Sequence, residues 1–184
     1  MVDLLKPEFH GKIATNPFLN GFEVLLANWG YDKTADYVTK FSTQISGLVE
    51  CGSGERIASG EVLALALDCA GVQQTEPRFK NILELHIVPD IAQRQYLYLS
   101  IPTNAADPNA GILYGLFFST PEGQAWLRSR NGGDLDNYPD STQRGMVEEN
   151  EKKGVKFMNL NLEWAAQNKD IPTQLFTLIK LVHK

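Results

Sequence analysis

The sequence predicts an α/β fold whose sheet is of parallel type. Through the first half, short apolar runs alternate with stretches of helical periodicity. One run, "VLALALD" (62–68), shows no polar alternation, as expected of a strand covered on both faces. Polar-then-proline dipeptides, the usual start of a helix, recur at Asn16-Pro17, Asp107-Pro108 and Thr120-Pro121.

"GKIAT" (11–15) reads as the first strand. Asn16 is then expected to cap a helix with Pro17 in its first turn, and Phe18, Phe22, Leu25, Leu26 and Trp29 mark its apolar face. Gly30 ends it. A second helix follows, capped by Asp32 or Thr34, with Ala35, Val38, Phe41 and Ile45 turned inward. "GLVECGS" (47–53) is expected to be a strand, with Ser53 capping a helical turn at 54–59 that Gly60 breaks. After the apolar strand 62–68, "ILELHIV" (82–88) alternates and is predicted to be a half-exposed strand. "RQYLYLSIP" (94–102) alternates too, with Tyr96 and Tyr98 sharing one face, and Pro102 stops it.

The second half is predicted to be mostly helical. "NAGILYGLFF" (109–118) is so uniformly apolar that burial on most sides is expected. "PEGQAWLRSR" opens the next helix, residues 131–157 form a polar surface excursion with one helix, and Leu175, Leu178, Ile179 and Val182 mark a terminal amphipathic helix. The expected organisation is an α/β lobe over 11–96 and a crossover strand with a mostly helical part over 97–184.

Composition narrows the function. The chain has 184 residues, 43% hydrophobic and 21% charged, with a formal net charge of -5. Lysine and arginine are scattered, which excludes a basic stripe for nucleic acid or a basic patch for a membrane surface. The start, "MVDLLKPEFHGK", has no apolar segment of a secretory signal, so either the protein is cytoplasmic or the sequence is cut. Cys51 and Cys69 leave two options open, a disulfide or two small buried hydrophobes.

Three places in the first half put a polar residue or glycine at a strand end: Thr15-Asn16, Ser53-Gly54 and Asp68. Open α/β sheets bind ligands at the carboxyl ends of their strands, where helix N-termini offer free N–H groups to anions. The ligand-binding candidates are therefore Thr15, Asn16, Ser53, Gly54 and Asp68, and the expected solute is a small anion.

Four segments, "DLLKPEFHGKIAT", "ERIASGE", "YLYLSIPTNAADPNAG" and "FFSTPEGQAWL", follow one another across most of residues 3–127. In this order they resemble the extracellular solute-binding proteins of ABC importers, in the iron(III)-type group. The resemblance implies a type II periplasmic-binding-protein-like fold, here the second lobe plus returning C-terminal helices. It implies a non-enzymatic role in which ligand closes two lobes and the closed form docks on a membrane permease, in the periplasm or outside the cell. Members are about twice this length, so the N-terminal lobe is expected to be missing, through truncation or in a stand-alone descendant. Iron-binding members carry adjacent tyrosines after the "asGe" element, where this chain reads "LDCAG". An organic anion is thus the expected cargo, with no metal and no cofactor.

Rival readings are an enzyme and a self-associating fragment. Cys69 beside Asp68, with His10, His86 or His183, makes a candidate thiol nucleophile and base, yet no catalytic motif accompanies it. Glu84, His86 and Asp90 offer too few zinc ligands, and Tyr96 and Tyr98 too few for ferric iron. Without a first lobe, helix 108–119 and the terminal helix are expected to lose their cover and promote homodimers.

Overall fold

Alternation of strand and helix in the first half produces three parallel strands with helical crossovers. The computed structural model describes residues 1–52, 54–67, 79, 81–84, 86–96, 98–129 and 135–182, apart from the side chain of Thr142. Strands β1 (Ile13–Thr15), β2 (Ile45–Leu48) and β3 (Ala64–Ala66) form a sheet in the order β2-β1-β3. Both pairings are parallel. Two compact units are present, Met1–Arg94 with Lys156–Lys184, and Gln95–Val155.

β1 is the centre of the sheet, and all three of its residues are buried. Its pairing with β2 slips between Ile13 and Ala14, which partner Ile45 and Gly47. Ser46 is the extra residue, and its hydroxyl donates to the Ile13 carbonyl at 3.1 Å, so the irregularity is itself hydrogen-bonded. The strand expected at 47–53 is thus shifted upstream, and Ile45 belongs to β2 rather than to the preceding helix. That helix ends early because the Ser42 and Thr43 hydroxyls bond back to the Thr39 and Lys40 carbonyls.

α1 (Phe22–Trp29) and α2 (Tyr31–Ser42) connect β1 to β2. α1 starts later than Asn16-Pro17 suggested. Asn16 Oδ1 accepts the Phe18 N–H at 2.8 Å, closing a turn, and Leu19 and Gly21 then take φ of 50° and 88°. The same dipeptide that opens a helix also opens an Asx turn, and two left-handed residues keep helix from nucleating before Phe22. Neither Asp32 nor Thr34 caps α2. Gly30 holds that place at φ 77°, and the Thr34 hydroxyl donates back to its carbonyl at 2.8 Å.

α3 (Glu55–Ala58) is one turn long, and Gly60 ends the turn at φ 75°, as expected. β3 is a short edge strand with only Ala66 buried, and Leu63 is exposed, so "VLALALD" is not covered on both faces. Position in the sheet decides this: among the described residues, β1 takes the centre and β3 has one neighbour. Among the described residues, 82–88 contain no strand, and Tyr96, Tyr98 and Leu99 are exposed beyond the end of β4 (Gln93–Gln95). β4 pairs with β5 (Met158–Leu160), which the sequence did not announce.

The first unit closes with α8 (Ile171–Val182), which packs on both α1 and α2. Leu178 is fully buried, joining Phe22, Leu25, Val38 and Phe41 in the core. The terminal helix therefore keeps its cover within this chain, against expectation.

In the second unit, α4 (Pro108–Phe118) begins where predicted, the Asp107 carboxylate accepting the Ala110 N–H at 3.1 Å. α5 (Pro121–Ser129) begins at Thr120, whose hydroxyl accepts the Gly123 N–H at 3.1 Å. The polar excursion contains α6 (Thr142–Lys152), capped by Ser141. Contrary to its expected burial, α4 has no buried residue. α7 (Leu162–Gln167) lies in the C-terminal part of the first unit.

Candidate functional site

The carboxyl ends of β1 and β2 run side by side, and the Val49 N–H donates to the Thr15 carbonyl at 2.9 Å beyond the last paired residues. An open hollow of about 430 Å³ lies there, lined by Pro17, Phe18, Leu48, Val49, Glu50 and Cys51. Its volume is in the range of small-molecule sites. The walls come from the turn after β1 and the segment after β2, so the parallel pairing itself brings them together.

The wall from the β1 side is shaped by the Asx turn at Asn16. With Leu19 buried and Phe18 half open to solvent, the turn points an aromatic ring outward instead of adding it to the helix face. On the other side, Leu48 is partly exposed, and Glu50 is an exposed carboxylate. Cys51 is disulfide-bonded, and the chain's other cysteine, Cys69, lies outside the described residues.

The predicted ligand residues sit behind this lining. Thr15 is fully buried, and its hydroxyl donates to the Ala66 carbonyl at 2.8 Å, which ties β1 to β3. Asn16 is fully buried as well. Its oxygen serves the turn, while its Nδ2 has no hydrogen-bond partner. A buried unpaired amide costs about 1–3 kcal/mol, so it is conspicuous next to a hollow. Gly54 is buried, and a Cβ there would lie 2.7 Å from the Phe79 ring and 2.9 Å from Leu83. Its role is close packing. Ser53 and Asp68 fall outside the described residues.

Among the described residues, the hollow's lining carries one ionisable side chain, Glu50, and no cation. Nor does the N-terminus of α1 supply free amides: the Gly21 N–H donates to Glu23 Oε2 at 3.0 Å. Burial raises the Glu23 carboxyl above the ordinary glutamate range, opposed by its backbone hydrogen bonds. Residues that the sequence missed, Phe18 and Glu50, carry no local signal of site membership, because Phe18 fits the apolar period of a helix and Glu50 the polarity of a turn.

No family model, curated protein or solved structure matches the chain.

Other candidates are dispersed. Glu84 and His86 approach to 3.2 Å, both exposed, while Asp90 pairs instead with the Met1 amine at 2.6 Å. His10 is exposed, and His183 lies outside the described residues together with Cys69. Among the described residues, no group of three or more His, Cys, Asp or Glu side chains is placed to hold a metal ion. No helix among them is long and apolar enough to cross a membrane.

Proposed function

We propose that this chain is the solute-gripping part of an ABC importer's binding protein, with a type II periplasmic-binding-protein-like architecture. The observation that carries the reading is the hollow at the carboxyl ends of two adjacent parallel strands, the place where open α/β sheets take ligands. The ordered segments "DLLKPEFHGKIAT", "ERIASGE", "YLYLSIPTNAADPNAG" and "FFSTPEGQAWL" support the same assignment. The disulfide at Cys51 fits an oxidising compartment such as the periplasm.

In this reading the protein binds and releases without chemistry. The solute rests on Phe18, Pro17 and Leu48, with Glu50 at the rim. The expectation of an anion draws no support from the described lining, whose one ionisable side chain is Glu50. A solute with a neutral acceptor suits the spare Asn16 N–H better, once the turn opens enough to expose that amide. Closure by a second lobe would complete the site, and the closed form would dock on a membrane permease.

The test is a thermal-shift panel on the full chain, using small carboxylates, phosphate and sulfate beside the uncharged amides of the same carboxylates. A solute at a hundred times its Kd should raise Tm by about 5–10 °C. Phe18→Ala should abolish the shift. A shift that survives both Phe18→Ala and Glu50→Gln places the solute elsewhere, and a panel with no shift at all overturns the reading.

A further inference from the structure

The second unit carries an apolar surface that the solute site does not use. α4 contains not one charged residue. Cβ atoms built on Gly111 and Gly115 would meet Ile101 and Leu99, so this side of the helix is filled by its own chain. At about 100° per residue, Ile112, Leu116, Leu113, Phe117 and Tyr114 then fan across the opposite side. They are between 40% and 69% exposed. Trp126, 46% exposed, continues the surface through its ring contact with Phe118, which in turn meets Tyr114 edge-on at 4.7 Å.

Size decides what such a surface is for. With about half of each of these six side chains open, and about 150–250 Å² available on each large one, they present about 600 Å² of apolar area. The largest patch on a typical monomer is about 300–600 Å². One side of a standard protein interface is about 800 Å². The patch is therefore at the upper end of what a monomer ordinarily leaves bare, and approaches the size one partner contributes to a stable dimer.

We infer that α4 is a homodimer interface, in which two copies of this helix pack face to face about a two-fold axis. A two-fold interface must be complementary to itself. A helix without charge meets that condition, because a second copy brings no like charge and leaves no buried ion unpaired. Tyr114, Phe117 and Trp126 are the side-chain types that anchor interfaces. The inference uses none of the residues lining the hollow, and it applies to this chain without the first lobe that the resemblance expects to cover the same helix.

Sedimentation velocity on the full chain tests it over roughly 1–200 µM, where interfaces of this size can associate. The expected result is a species of twice the 20.5 kDa chain mass that becomes more populated with ammonium sulfate, as apolar association does. Leu113→Glu, and separately the milder Leu116→Gln, should shift the protein to monomer by tenfold or more in Kd. Both should keep the wild-type circular dichroism, because these side chains are exposed, and should melt without the concentration dependence of the dimer. A wild-type monomer throughout the range overturns the inference, whether or not its surface binds hydrophobic dye. So does indefinite aggregation, or a dimer that survives both substitutions in folded protein.

Discussion

The Thr15 hydroxyl donates to the Ala66 carbonyl at 2.8 Å, across the pairing of β1 with β3. A hydroxyl that looked available at a strand end is committed to the sheet. Thr15→Val should therefore lower stability by about 1 kcal/mol, a Tm drop of about 2–4 °C in a chain of this size. Solute affinity should not change. A calorimetric melt and a binding titration on the same variant check both halves.

Gly54→Ala should destabilise by about 1–3 kcal/mol, because the new methyl meets the Phe79 ring at 2.7 Å and Leu83 at 2.9 Å. Its φ of -103° suits any residue, so overpacking is the whole cost. Gly47 provides the contrast: a Cβ there meets only the guanidinium of Arg56, the far end of a flexible side chain that Glu61 and Ser46 hold, rather than a packed ring. Gly47→Ala should cost clearly less than Gly54→Ala in parallel urea titrations.

The buried Glu23 carboxyl makes stability depend on pH. Its folded pKa is raised, so the folded state binds its proton more tightly than the unfolded chain does. The resulting stability is fully present below the ordinary glutamate pKa of about 4.3 and is lost as pH rises through the raised value. Glu23→Gln removes that loss. The variant should gain Tm relative to wild type at pH 7 and show a smaller difference at pH 4.

The disulfide at Cys51 should be visible chemically. Thiol titration of the unfolded, unreduced chain should find no free thiol, and reduction should release two. Removing a disulfide typically costs about 2–4 kcal/mol, so a reducing agent should lower Tm distinctly. Unchanged melting with two thiols released would show the bond to be without structural weight.

Much of the architecture was legible along the chain. "GKIAT", the turn before Gly60 and the starts at Asp107 and Thr120 depend on neighbours within a few residues, and each appears where local chemistry puts it. Helix α1 was placed early because Asn16-Pro17 serves two local structures equally well. Choosing between them depends on Leu19 being drawn into the core at a left-handed φ. Thr15 and Asn16 are indeed at the end of a parallel strand, but strand pairing closes over them and leaves Phe18 and Glu50 on the hollow.

By itself, the sequence determined the α/β class, the parallel sheet of the first half, and the helix starts at Pro108 and Pro121. Periodicity, caps and glycines act over a turn or two and need no distant partner. Only the tertiary structure decided that β1 is central and β3 an edge, that α8 is covered, and that α4 is bare. Burial is settled by which surfaces meet, and an apolar helix has the same sequence whether its partner lies in its own chain or in another.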